Sequence, residues 1–187
     1  MKIFFYKYGS ICEPDISDSF RRLGFEVIDE DMEIYNKNLL PSQCVETVSK
    51  KLIDGQFTFV FTINFFPWLS DLCEIMHLKY ISLIVDSPVL ELYSYSLKND
   101  CNRIFLFDRC LYNEFEPFNQ GHIFHVPLAA DVNRIQNVIK NASTSEKAKF
   151  ASDISFIGST YQEKCPFNRS ESVSYTHLRA HETTLHL

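Results

Sequence analysis

Asp86 stands directly after the apolar run SLIV and directly before Ser87-Pro88. A carboxylate in that position can take a proton from a hydroxyl or hold a sugar, and it can equally cap the turn that Pro88 begins. His125 lies in the run IFHV, where an imidazole can act as a base but a lone histidine is more often packed. Gly9-Ser10 follows the aromatic stretch FFYKY. A glycine there lets a phosphate or a sugar approach the backbone, yet no GxGxxG follows, so the dinucleotide fingerprint is absent and a turn glycine reads as well. Asn64 closes the run FVFTI, and Asp29, Asp108 and Pro127 hold corresponding places after other apolar runs.

Two other sets of reactive residue types need placing. Cys12, Cys44, Cys73, Cys101, Cys110 and Cys165 contain no CxxC pair, and in a reducing compartment they read as free thiols used as small hydrophobes. His177 and His181 have i, i+4 spacing, with Glu182 beside them and His186 nearby, a pattern that can present two imidazoles to zinc. That signal is discounted. Residues 173–183, VSYTHLRAHET, back-translate into the adapter used in transposase-based sequencing libraries, which the tail 173–187 resembles. No metal is expected, and natural sequence is expected to stop near Ser172, with the parent protein continuing beyond it.

The elements that must position the strand-end residues follow from punctuation and period. Lys2 to Tyr8 reads as a strand, Asp15 to Leu23 as a helix stopped by Gly24, and Phe25 to Ile28 as a second strand. Pro41 opens a helix carrying Val45, Val48, Leu52 and Ile53, which Gly55 ends before the strand Phe57 to Ile63. That strand is apolar on both faces, as a central parallel strand buried between helix layers must be. Helix Trp68 to Met76, strand Tyr80 to Val85, a polar helix or turn over Glu91 to Leu97, strand Arg103 to Phe107, helix Asp108 to Phe115 and strand Ile123 to Val126 complete the alternation. The expected fold is α/β, a doubly wound, Rossmann-like parallel sheet. In such sheets ligands bind beyond the carboxyl ends of the strands, where the candidate residues stand. Trp68 and the cluster Phe61, Phe65 and Phe66 read as core rather than as a sugar-stacking platform. NASTSEKAK, residues 141–149, has linker composition, and Asp153 to Ile157 reads as a fresh strand before Gly158-Ser159.

Bulk properties narrow the partners. With 187 residues, 45% hydrophobic and 14% aromatic, the chain has apolar surface for one sizeable core. The formal net charge of −6 and the scattered basic residues argue against nucleic acid. The start lacks a signal-peptide core, and no run reaches the roughly 20 apolar residues of a membrane span. A cytoplasmic location is expected. The oligomeric state is not legible.

Four stretches taken together, SLIVDSP (82–88), RIFLFDR (103–109), HVPLAAD (125–131) and DISFIGSTYQEKCPFNR (153–169), resemble the CgeB-like, spore-maturation-type glycosyltransferases. In that family an N-terminal domain of unknown function precedes a group 1 glycosyltransferase domain. The resemblance implies the N-terminal half of a metal-independent GT-B architecture, in which two Rossmann-like domains face each other across a cleft. It also implies a cofactor-free transfer from a nucleotide-diphosphate sugar to an envelope, spore-coat or protein acceptor. On that reading residues 1–140 form the acceptor-side domain, 141–152 a linker and 153–172 the start of a truncated donor domain. Gly158 and Ser159 would meet the donor diphosphate, Gly9, Ser10 and Asn64 would bind substrate, and Asp86, with His125 behind it, would be the base. The fragment by itself is expected to be inactive. The rival reading is a non-catalytic α/β binding or regulatory module.

Overall fold

The strand β1 (Lys2–Tyr6) has Phe4 and Tyr6 on one face and Ile3 and Phe5 on the other, all of them buried. A strand with both faces covered belongs in the middle of a parallel sheet, and the computed structural model, which describes residues 1–36 and 39–155, has it there. β1 pairs in parallel with β2 (Glu26–Glu30) on one side and with β3 (Phe59–Ile63) on the other. β4 (Lys79–Ile84), β5 (Asn102–Leu106) and β6 (Ile123–His125) follow outward from β3. The result is a six-stranded, all-parallel sheet of order β2-β1-β3-β4-β5-β6, a doubly wound, Rossmann-like α/β fold.

The crossovers explain the two layers. The chain runs one way from β1 to β2 and the other way from β2 to β6, and right-handed crossovers then require helices on opposite faces. Helix α1 (Glu13–Arg22) connects β1 to β2, and its Ile16 and Phe20 pack on Ile3, Phe5, Phe59 and Phe61. After the single turn α2 (Met32–Tyr35), the helices α3 (Pro41–Gly55), α4 (Pro67–Ile75) and α5 (Arg109–Phe115) belong to the core on the other face, with Phe4, Tyr6, Val60, Tyr80 and Ile104. The crossover between β4 and β5 has no α-helix. It is made of two 3-10 turns, Leu90–Tyr93 and Tyr95–Lys98. Buried Asn102 holds the second of them by donating to the carbonyls of Ser96 at 2.8 Å and Leu97 at 3.0 Å, and it accepts from Ser70 Oγ at 2.7 Å.

The helix faces depart from expectation at two points. In α3 the buried positions are Cys44, Val48 and Leu52, whereas Ile53 is 70% exposed. Gly55 is the last residue of that helix, but the left-handed residue is Gln56 (φ 48°). Gly55 is needed for another reason: a Cβ there would stand 1.9 Å from the Phe57 ring. Among the cysteines, Cys44 and Cys73 are buried and free, as small hydrophobes are, whereas Cys110 is exposed.

The chain divides into two compact units, Met1–Arg134 and Ile135 onwards. Helix α6 (Val132–Asn141) spans the division. The stretch 141–152, read as linker by composition, carries helix α7 (Thr144–Phe150). Its start is a capping box: Ser143 Oγ accepts from the Glu146 N–H at 3.2 Å and the Glu146 carboxylate accepts from the Ser143 N–H at 2.8 Å. Asp153 to Ser155 form no strand. The rest of the strand expected there, Gly158, Ser159, Cys165 and the tail 173–187 lie outside the described residues. Among the described residues no helix is long and apolar enough to cross a membrane.

Candidate functional site

The strand order reverses between β1 and β3, so the crevice of this sheet opens beyond their carboxyl ends, beside that of β4. Asn64 leaves β3 with φ 57°, a left-handed conformation that asparagine tolerates better than most residues. Three contacts hold the turn. The Asn64 N–H donates to the Leu83 carbonyl at 2.8 Å, Thr62 Oγ1 donates to the Asn64 carbonyl at 2.6 Å, and the Tyr80 hydroxyl accepts from the Phe66 N–H at 3.0 Å. Because the Thr62 proton is given to Asn64, the 2.8 Å contact between Thr62 Oγ1 and the Tyr80 hydroxyl has Tyr80 as donor. Burial pushes the Tyr80 phenol far above its ordinary pKa and so keeps that proton in place.

The Asn64 side chain is a clamp. Its Nδ2 donates to Asp86 Oδ2 at 2.6 Å and to the Tyr8 hydroxyl at 2.9 Å, and its Oδ1 accepts from the Val85 N–H at 3.1 Å. The loops after β1, β3 and β4 are thus tied at one amide. The Asp86 carboxylate and the Tyr8 hydroxyl thus share one amide nitrogen as hydrogen-bond acceptors. Asp86 is exposed. Tyr8 is half-buried, and its phenol is raised, chiefly by burial, with the Asp86 charge adding to the effect against hydrogen bonds from Ser10 and Asn64.

The loop after β1 has committed two of its donors. The N–H groups of Tyr8 (2.9 Å) and Gly9 (3.1 and 3.2 Å) donate to the carboxylate of Glu13, which is 2% exposed. In phosphate-binding loops such groups face the ligand; here a side chain of the protein fills the anion position. Gly9 (φ 102°) and Ser10 border the crevice, but the Gly9 N–H has its partner within the fold.

A second polar group follows along the same edge. Ser87 Oγ donates to Asp108 Oδ2 at 2.7 Å, and Asp108 Oδ1 caps α5 by accepting from the Cys110 N–H at 2.7 Å. The Ser87 bond, then the cap, hold the Asp108 carboxyl below its ordinary range, with a smaller contribution from His125. His125 pairs in register with Leu106, and its ring lies 5.9 Å from that of Tyr112. The structure therefore gathers Gly9, Ser10, Asn64 and Asp86 at the reversal. It leaves His125 on β6, with β5 between it and β4. Tyr8 and Glu13 are the members that sequence reasoning missed, and of the two only Glu13, an acid in the first turn of a helix, carried a local signal; Ser87 and Asp108 were legible as strand-end residues, but not their pairing.

Asp29 is no ligand-facing group. It lies within β2, and Lys7 Nζ (2.8 Å), Arg21 Nη2 (2.5 Å) and Ser17 Oγ (3.0 Å) converge on its carboxylate. Burial opposes ionisation of Asp29, but the hydrogen bonds from Lys7 and Arg21 outweigh it and hold the carboxyl below its ordinary pKa. A carboxyl lowered in the folded state stabilises fully above its unfolded pKa of about 3.9 and loses that contribution as pH falls through the folded value. Asp29→Asn is accordingly expected to be destabilising at neutral pH, and the gap to the unmodified protein should close below about pH 4. Urea unfolding of both proteins at neutral pH and near pH 3 measures it; a gap that persists unchanged in acid contradicts the assignment.

Among the described residues no group of three or more His, Cys, Asp or Glu is placed to hold a metal ion. No family model matches the chain, and no curated protein matches it. Among solved structures, one similar chain is a fusion carrying the yeast Spc42 trimeric coiled coil. It is 9% identical over 100% of this chain and 95% of that one, with a TM-score of 0.39, a likeness too low to bear on fold or function.

Proposed function

We propose that this chain is the acceptor-side domain of a cytoplasmic, metal-independent glycosyltransferase of the GT-B type, related to the CgeB-like enzymes. The observation that carries the reading is the Asn64 clamp, which fixes the Asp86 carboxylate beside the Tyr8 hydroxyl at the reversal of a parallel sheet. This arrangement suits an alcohol better than a phosphate, since the loop N–H groups that would meet a phosphate are bonded to Glu13. In the proposed reaction the acceptor oxygen attacks the anomeric carbon and its proton passes to Asp86. The bond from that carbon to the diphosphate oxygen breaks, and the nucleotide diphosphate leaves with the electron pair. The donor would be held by a second domain of the parent protein, where Gly158 and Ser159 would approach the diphosphate and backbone N–H groups would balance its charge. The sugar and the acceptor are an open choice among nucleotide-diphosphate sugars and envelope, spore-coat or protein hydroxyls.

Thermal unfolding of the full-length parent protein with UDP- and GDP-sugars tests the reading. A ligand that binds only the folded state raises the midpoint, so one of these sugars is expected to shift the parent and none to shift this chain alone. A parent protein indifferent to every nucleotide sugar would leave a non-catalytic α/β binding module as the better description.

A further inference from the structure

The crossover between β4 and β5 leaves a hollow of about 250 Å³ beside its two 3-10 turns, and none of the residues lining it belongs to the strand-end row. Buried Leu92, Leu97 and Phe115 form its base, and the rim is exposed Tyr93, Tyr95 and Phe118. Tyr95 is 90% exposed, an unusual setting for an aromatic ring next to an apolar recess. An apolar cavity of about 150 Å³ is enough to take up benzene, so this one accommodates a single ring with a short substituent.

Two features keep the hollow open and give it a polarity. The Tyr93 ring stands edge-on to Phe115 at 4.9 Å while its hydroxyl donates to the Glu114 carboxylate at 2.8 Å, so that wall is set before any ligand arrives. Lys98 Nζ lies 6.0 Å from the Phe118 ring centre, and among the described residues Lys98 is the one cation lining the recess. An anionic group carried by a ring in the recess is thus drawn to Lys98.

We infer that this hollow is a binding site for a small aromatic carboxylate, one ring bearing a single short acidic arm. The ring rests on Leu97 and Phe115, Tyr95 closes over it, and the carboxylate pairs with Lys98. The site is independent of any sugar chemistry at the strand ends.

Fluorine NMR of the full chain with three probes of matched length tests it: para-fluorophenylacetate, para-fluorophenethyl alcohol and para-fluorophenethylamine. The acid is expected to bind at low-millimolar concentration or better, the alcohol about fivefold more weakly, as one rim ion pair allows, and the amine more weakly still. Lys98→Met keeps the aliphatic stem, and it should abolish the preference for the acid while leaving the alcohol's affinity unchanged. Absence of binding by the acid, or equal binding of acid and alcohol, overturns the inference. So does sedimentation showing that the protein self-associates and that Tyr95→Asp returns it to monomer, because a second copy would then be the occupant.

Discussion

Asp86→Asn in the proposed parent transferase is expected to lower the rate of sugar transfer by about 10²–10⁴-fold, the range over which a positioned general base acts. The substitution is nearly isosteric, and the new amide oxygen can still accept from Asn64 Nδ2, which now contacts Asp86 Oδ2 at 2.6 Å. Only the ability to take up a proton is lost. On that reading the donor would be held by a second domain, so the nucleotide-dependent thermal shift should be unchanged and the loss should fall on kcat. Steady-state kinetics and thermal unfolding on the same variant separate the two. Full activity with Asn at this position would mean that the proton goes elsewhere, and His125, beside Asp108 on the same edge, would be the next group to replace. Loss of the thermal shift together with activity would instead place Asp86 among the donor's contacts.

Phe5→Ala is expected to cost about 3–5 kcal/mol of folding stability. Phe5 is fully buried in the strand that pairs with both β2 and β3, and its ring stands edge-on to Phe61 at 4.9 Å. That face of the sheet is built largely of rings, with Phe59, Phe61, Phe20 and Phe25 around it, so truncation removes both apolar area and aromatic contacts that nothing nearby is shaped to replace. A loss of this size is a large share of the roughly 5–15 kcal/mol that holds a domain together. Urea unfolding provides the measurement, with a lowered midpoint and an unchanged slope marking a loss of stability alone. Ile53→Ala is the comparison: with Ile53 70% exposed, its effect should stay within about 0.5 kcal/mol. Equal effects at the two positions would contradict the core described above.

The elements that matched the sequence reading best were those whose signal is local. β1, β3, β4 and β5 are continuous apolar or alternating runs, and each was placed to within about two residues, the ordinary scatter of boundaries. β2 was read short because Asp29 and Glu30 look like the end of a strand. They remain in the sheet because Lys7 and Arg21 neutralise the first and Lys51 pairs with the second. Helix α7 was within reach, since Ser143 and Glu146 have the spacing of a capping box, but small polar residues around them read as linker. Ile53 was misjudged in α3 because a helical period admits neighbouring faces, and packing against β1 and β3 selected the one with Cys44, Val48 and Leu52.

By itself, the sequence determined the α/β class, the parallel sheet and, Asp29 in β2 excepted, the residues at the strand ends named above, because apolar period and glycine or proline punctuation are properties of neighbours along the chain. Which strand ends meet was decided only in three dimensions. The reversal between β1 and β3 brings Tyr8, Asn64 and Asp86 together from positions up to 78 residues apart (86 − 8). Tertiary structure also assigned the roles. Asn64 became a clamp because its amide is filled by Tyr8, Asp86 and Val85, and the Gly9 N–H was withdrawn from ligands because Glu13 reached it first. A residue type states which hydrogen bonds a side chain can make, and only the folded chain states which of them are already made.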